Sequence, residues 1–309
     1  MPVTLGLGLP QTKQYDIGRD VTAVARAAEA VGYESLWVFE RLLFPEPAVQ
    51  GLYGVPGLAW PDHYRGVADP LVTLTLAAAA TERARLGTSV LVAPLHVPFQ
   101  LARSLASLDA ASGGRVVAGL GTGWSLDEYA AASVAPFEKR GEVLDELLDV
   151  CAAVWGPDPV SYKGSLTTIA PSEVGPKPAR PIPVYLAASG PRATRRLVDR
   201  ADGWMPVAMG ASQLAEQWQR VRDTAAERGR RHPAGVCLRA NARYSATPVP
   251  GTGRKPFHGD AAQIVEDLAA HAATGVPEIM LDLQTSLRDA RELIDVATEV
   301  YERARAAGV

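Results

Sequence analysis

At 309 residues, with 47% hydrophobic and 21% charged side chains, the chain has the make-up of a globular protein with a sizeable core. A formal net charge of −3 and no long Lys/Arg run argue against nucleic acid and anionic membrane as partners, since both need clustered cations. No stretch approaches the ~18 consecutive apolar residues of a membrane span, and the opening MPVTLGLGLP lacks a secretory pattern, so a cytoplasmic location is expected.

In chain order, short apolar or β-branched runs alternate with longer runs of helical spacing. Residues 3–10 read as the first strand. Val21, Val24, Ala25, Ala28 and Val31 then share a helix face, and Gly32 supplies a left-handed stop. Residues 35–40 are the second strand, 70–82 a helix and 85–92 the third strand. Pro98 opens a helix whose Leu101, Leu105 and Leu108 share a face; proline suits the first turn, where its missing N–H is not needed. Ser112, Gly113 and Gly114 end that helix. Residues 115–120 are the fourth strand and 138–155 a long amphipathic helix. The fifth to eighth strands fall at 183–188, 203–207, 236–242 and 278–283. Their helices follow at 192–201, 211–228, 260–274 and 286–307.

Eight strand-then-helix units in 309 residues favour a closed (β/α)8 TIM barrel over an open doubly wound sheet, in one domain spanning 1–309. Long insertions are expected at 41–68 after strand two, 121–137 after strand four and 156–181 before strand five, with a shorter one at 245–259. Long loops in compact domains usually carry function. The first two leave strand C-termini, where barrel active sites lie. The third follows a helix and belongs on the opposite face or the side.

Cys151 shares an apolar stripe with Leu144, Leu147, Leu148 and Val154. Cys237 is far away in sequence and no CxxC is present, so both are expected as buried thiols in a reducing compartment. His63, His96, His232, His258 and His271 form no HxH, HExxH or Cys/His set, so no metal site is expected. A Ser-His-Asp hydrolase is disfavoured by the lack of GxSxG. Two glycine-bearing runs remain. In Gly119-Leu120-Gly121-Thr122-Gly123, the glycines let backbone N–H groups approach a flat or anionic ligand. In Ala188-Ser189-Gly190-Pro191-Arg192, a small loop runs into a helix N-terminus, where free N–H groups and Arg192 favour a phosphate.

The runs Leu36-Trp37-Val38-Phe39-Glu40-Arg41, Leu86 to Leu91, Gly119 to Trp124, Tyr185 to Pro191 and Ala201-Asp202-Gly203-Trp204 resemble the bacterial luciferase-like monooxygenase superfamily. Their order and spacing are similar to its branch using the deazaflavin coenzyme F420. The resemblance is clear to about Val207 and looser beyond. It implies that Glu40 stands beside the deazaflavin and that Ser89-Val90 forms a non-proline cis peptide bulging against the ring. Gly121, Thr122 and Gly123 would border the cofactor, and Ser189, Gly190, Pro191 and Arg192 would hold its phosphate. The sugar-phosphate dehydrogenase of that branch carries a histidine where Arg41 stands and a glutamate where Trp124 stands. Oxidation of a sugar hydroxyl needs a base within reach, so that activity is not expected.

Trp124 and the aromatics of the second-strand insertion, Phe44, Trp60 and Tyr64 among them, point to an apolar or aromatic small-molecule substrate. The reading is an F420-dependent oxidoreductase. Glu40, Arg41 and His96 are its candidate catalytic residues, and His63 and Tyr64 are further proton donors. Two alternatives stand: an FMN-dependent two-component monooxygenase, and a barrel that binds a flavin without turnover. A homodimer is expected from the resemblance, through the helix before strand three and the helix after Pro98.

Overall fold

The computed structural model describes residues 2–231, 233 and 235–309; His232 lies outside them. The strands are β1 (Thr4–Gly8), β2 (Ser35–Val38), β3 (Arg85–Thr88), β4 (Leu91–Val92), β5 (Val116–Gly121), β6 (Val160–Lys163), β7 (Thr168–Ser172), β8 (Val184–Leu186), β9 (Gly203–Trp204), β10 (Gly235–Asn241), β11 (Arg243–Tyr244), β12 (His258–Gly259) and β13 (Glu278–Asp282). The helices are α1 (Ile17–Val31), α2 (Pro70–Ala80), α3 (Pro98–Ser112), α4 (Leu126–Ala132), α5 (Arg140–Trp155), α6 (Pro191–Arg200), α7 (Ala211–Glu227), α8 (Ala261–Ala272) and α9 (Ala290–Ala306). Strands β3, β2, β1, β13, β10, β9, β8 and β5 pair side by side in that order, all parallel, and β5 returns to β3. This is the closed eight-stranded barrel expected from the alternating pattern. No helix among the described residues is long and apolar enough to cross a membrane.

Alternation along each strand divides the core in two. Leu5, Leu7, Leu36, Leu86, Leu238, Ile279 and Leu281 are fully buried in the larger cluster, which they share with Val21, Leu105, Leu147 and Leu268 of the helices. Each such side chain contributes about 1.5–3 kcal/mol on leaving water. Trp37, Val117, Met205, Cys237 and Met280 form a separate buried cluster inside the barrel. The Trp37 indole fits there because β1 and β3 present glycines to it. A Cβ on Gly87 would lie 2.2 Å from the ring, and one on Gly6 2.7 Å from its nitrogen. Trp37 Nε1 donates to Ser35 Oγ at 2.8 Å, and that hydroxyl donates to Glu278 at 2.5 Å. Arg85 closes the floor on Glu278 at 2.9 Å.

Local signals behave as the sequence suggests. Asp16 caps α1 by accepting from the Arg19 N–H at 2.9 Å, and Gly32 ends it with φ 123°. Pro98 starts α3, and Gly113 ends it in the left-handed region. Three expectations change. The third strand, expected as 85–92, breaks at Ser89 and Val90 into β3 and β4, and β4 pairs with β5 alone. The sixth, expected to reach Val207, ends at Trp204; Pro206 has no N–H for the ladder, and only an isolated bridge joins Val207 to Arg239. The long connections also carry structure of their own: α4 within 121–137, and the antiparallel hairpin β6–β7 within 156–181.

That hairpin packs outside the barrel on α5, where Glu146 organises its turn. The Glu146 carboxylate accepts from Ser165 N–H and Oγ, and from the N–H groups of Leu166 and Thr167 at 2.8 Å each. Burial pushes this carboxyl up, but the hydrogen bonds outweigh it and hold the group below the usual carboxylate range. A depressed folded value gives stability that is present above the unfolded pKa and lost as pH falls through the folded one. Glu146→Ala should therefore cost about 1–3 kcal/mol in denaturant unfolding at neutral pH. The gap to wild type should narrow below about pH 4. A gap that stays constant into acid would show that the carboxylate charge is not what holds the turn.

Candidate active site

A cavity of about 450 Å³ opens at the C-terminal ends of the barrel strands. Beyond β2 it is walled by Phe39, Glu40 and Arg41; beyond β3, by Ser89, Val90 and Val92; beyond β5, by Gly121, Thr122, Gly123 and Trp124. Ala187, Ala188 and Ser189 follow β8, Met205 and Pro206 follow β9, and β10 supplies Arg239 and Asn241. Tyr53 and Tyr64, from the 41–68 connection, line it too, as do Val207, Met209 and Gln217.

The wall between β3 and β4 is the Ser89–Val90 peptide, which is cis although no proline is involved. Thr88 sits behind it. Its hydroxyl donates to the Gly119 carbonyl at 2.7 Å and accepts the Gly119 N–H at 3.0 Å. The Ser89 carbonyl accepts from Arg239 at 2.5 Å, whereas its buried hydroxyl has no partner.

The glycines of the 119–123 run do something other than the sequence suggested. A Cβ on Gly119 would sit 1.8 Å from the Thr88 carbonyl oxygen. One on Gly121 would sit 2.7 Å from a Val90 methyl, and one on Gly123 2.5 Å from a Val92 methyl. All three therefore make room for the bent third strand. Gly121, Thr122 and Gly123 still line the cavity, but the missing side chains admit protein first.

Glu40 is 3% exposed, and both of its oxygens are engaged. One accepts the Val92 N–H at 2.6 Å, and the other lies 2.8 Å from His96 Nε2. His96 stands behind Glu40 and is not a cavity wall. Arg41 does not pair with its neighbour Glu40. It reaches Glu128 of α4 at 2.6 Å and lies 4.8 Å from the Trp124 ring centre. Glu128 also accepts the Leu42 N–H at 2.8 Å, and Ser125 caps its helix. Burial pushes the Glu128 carboxyl up; Arg41 pulls the other way and loses.

The substrate-facing residues divide. Trp124 and Tyr64 line the cavity; Trp60 and Phe44 do not. Trp60 packs its ring on Trp124 at 4.9 Å and donates its N–H to the Gln50 carbonyl at 3.0 Å, so it supports the wall from outside. Phe44 lies edge-on to Trp60 at 6.0 Å, with Arg65 4.1 Å from its ring centre. On the β8 side, Ser189 reaches the rim. Gly190, Pro191 and Arg192 continue outward as the exposed first turn of α6, and Gly190 adopts φ 80°. His63 lines a neighbouring cavity instead.

Sequence reasoning missed Glu128, Arg239, Asn241 and Asp282. Arg239 binds Asn241 at 2.9 Å and Asp282 at 2.5 Å, besides Ser89, and lies 5.0 Å from the Phe39 ring centre. The signal was present: in Cys237-Leu238-Arg239-Ala240-Asn241 the polar residues fall on the alternate, inward positions of an apolar strand. Glu128 gave no such sign, because a helix carboxylate five residues before a loop of small side chains is ordinary surface in sequence.

A family model described as luciferase-like monooxygenase matches residues 6–250. An uncharacterized protein of Mycobacterium tuberculosis is 37% identical over 194 residues, which are 62% of this chain and 68% of that protein. The F420-dependent glucose-6-phosphate dehydrogenase of Amycolatopsis mediterranei is 30% identical over 190 residues, 60% of this chain and 53% of the dehydrogenase, about half of its length. Among solved structures, a monooxygenase from Streptomyces bottropensis matches with TM-score 0.78 and 18% identity, over 99% of this chain and 100% of that one. An F420-dependent secondary alcohol dehydrogenase in complex with an F420–acetone adduct gives 0.75 and 19%, with coverage of 99% and 100%. Identities this low speak for the fold. The family match does more: it runs from β1 past β11 and takes in every residue that walls the cavity, so the chain belongs to the luciferase-like monooxygenase family and is an oxidoreductase.

Proposed function

We propose that this enzyme transfers a hydride between coenzyme F420 and an apolar or aromatic small molecule. The observation that carries the reading is the wall at Ser89: a buried hydroxyl without a partner, on the side of a cavity lined by strand ends. Native interiors seldom leave such a group unpaired, and a polar ring edge would satisfy it. The residues fit that group. Ser89 and Val90 would back the ring, Gly121 to Gly123 would border it, and Ser189 to Arg192 would hold a phosphate. Two relatives named as F420-dependent glucose-6-phosphate dehydrogenases, at 30% and 31% identity, support this cofactor. The FMN alternative draws on a riboflavin lyase with modified FMN, which shares the fold at TM-score 0.74.

When bound, the deazaflavin supplies the hydride chemistry. The chain's own groups orient and protonate. His96 Nε2 lies 2.8 Å from Glu40 Oε1 beside the cavity, and the Val92 N–H fixes the other Glu40 oxygen. Arg41 is neutralised by Glu128, so its remaining N–H groups serve a carbonyl oxygen better than a free anion. Trp124 and Tyr64 supply apolar surface and exclude water.

Titration of the purified protein with F420 and, separately, with FMN tests this. F420 should bind more tightly; binding of FMN alone would overturn the proposal. F420 binding without turnover of any acceptor would leave the non-catalytic alternative. Arg192→Glu should weaken F420 binding about tenfold or more, since it places an anion beside a phosphate. Unchanged affinity would remove the phosphate assignment. We also propose a homodimer through α2 and α3. Val72 is 56% and Val97 48% exposed there, a surface that water disfavours. Light scattering that reports a monomer would exclude it.

A further inference from the structure

A smaller cavity of about 210 Å³ adjoins the first, beside the short turn Asp62–Arg65. The two share Phe39, Tyr53, Tyr64, Arg239 and Asn241 as walls. Its other polar lining is His63, Arg243, His258, Asp282 and Thr285. Asp282 is already committed: one oxygen holds Arg239 and the other the Gln284 amide. Arg239 is committed to Asn241, Ser89 and Asp282. Arg243 is not. No ion pair or side-chain hydrogen bond joins it to another described residue, nor do the imidazoles of His63 and His258 have a hydrogen-bond partner among them.

Burial, and after it the charge of Arg243, holds both imidazoles below the usual histidine range. Asp282 and Asp62 oppose this at His63. At His258, Lys255 and Arg254 add to it and Asp267 opposes it. The cavity therefore offers one uncompensated guanidinium flanked by two uncharged rings that can donate or take up a proton.

We infer that this cavity holds the carboxylate of an amphipathic substrate whose apolar body lies against Tyr64 and Trp124 in the main cavity. The inference rests on the substrate class proposed above and not on the identity of the cofactor. Arg243 offers one permanent positive charge and a planar fork of donors, which matches the two oxygens of a carboxylate in charge and in shape. Arg41 does not compete for the anion, because Glu128 already meets its charge.

The test uses the full chain without added cofactor. Phenylbutyrate and phenylbutanol, alike in body and different in charge, are titrated calorimetrically. Phenylbutyrate should bind about tenfold more tightly or better, as a charged hydrogen bond requires. Arg243→Ala should abolish that preference and leave the alcohol's affinity unchanged, while Arg243→Lys keeps most of it. Arg243 is exposed, so neither change should disturb folding. Because both imidazoles are held below the usual histidine range, carboxylate affinity should change little from about pH 8 to about pH 7 and rise only as the pH falls below that range. Equal affinities, no binding of phenylbutyrate, or loss of both ligands in Arg243→Ala would overturn the inference. Displacement of phenylbutyrate by inorganic phosphate at lower concentration than by acetate would overturn the carboxylate assignment. A wild type that ignores F420 yet prefers phenylbutyrate would sink the cofactor reading and support this one.

Discussion

Replacing Arg239 with methionine is expected to lower the unfolding free energy by about 3–5 kcal/mol, the usual result of stripping one partner from a buried ion pair. The Asp282 side chain is 3% and the Arg239 side chain 12% exposed, so the carboxylate left behind cannot turn to water. Among the described residues, its remaining side-chain partner would be the Gln284 amide. The Ser89 carbonyl and the Asn241 amide would each lose a hydrogen bond as well. Urea unfolding measures the effect. Arg239→Met combined with Asp282→Asn should recover at least half of the loss, because the orphaned charge is gone. The single variant should also bind F420 less tightly, since the Ser89–Val90 wall has lost its clamp. Wild-type stability in Arg239→Met would mean that the network is dispensable.

Gly119→Ala should be at least as damaging. The new methyl would lie 1.8 Å from the Thr88 carbonyl oxygen and 2.7 Å from the Met205 sulfur. A flexible side chain could yield, but Thr88 is backbone within a closed barrel and its hydroxyl already ties β3 to Gly119 in both directions. Relief requires β3 and β5 to part, at a cost of about 3 kcal/mol or more. Gly253→Ala is the control: nothing lies within 4 Å of that Cβ, and melting should match wild type. Equal melting of both variants would show that β5 does not pack on β3 as closely as described.

The residues that were legible in sequence share a property. They lie at the ends of strands, in runs whose composition is unusual for a strand end. Glu40 and Arg41 put charge after Leu36-Trp37-Val38, and Ala188 and Ser189 put small residues at the cavity rim ahead of a helix. Ser89 and Val90 were singled out by resemblance alone, since nothing in their side chains signals a bend. What was misjudged involved direction. The glycines of the Gly119 to Gly123 run were taken to make room for a ligand; they make room first for the bend from Thr88 to Val92, and Gly121 and Gly123 line the cavity as well. Phe44 and Trp60 were expected as substrate contacts; they lie outside this cavity, Trp60 against Trp124 and Phe44 against Trp60. Arg41, a candidate catalytic residue, does wall the cavity, but its partner Glu128 lies 87 residues further along the chain.

The alternation of apolar periods in the chain favoured the closed barrel over an open doubly wound sheet. Period-two runs can bury two faces only within a sheet covered by helices, and eight such units leave few other ways to close. Helix limits followed from Gly32, Pro98 and Gly113, because those preferences act within a single turn. The partners of charged groups were decided only by tertiary structure. Arg239 with Asp282, Arg41 with Glu128 and Glu40 with His96 are joined across different units of the barrel. Which charge is neutralised and which is left over, as at Arg243, depends on distances of a few ångströms between segments far apart in the chain, and no local pattern encodes those.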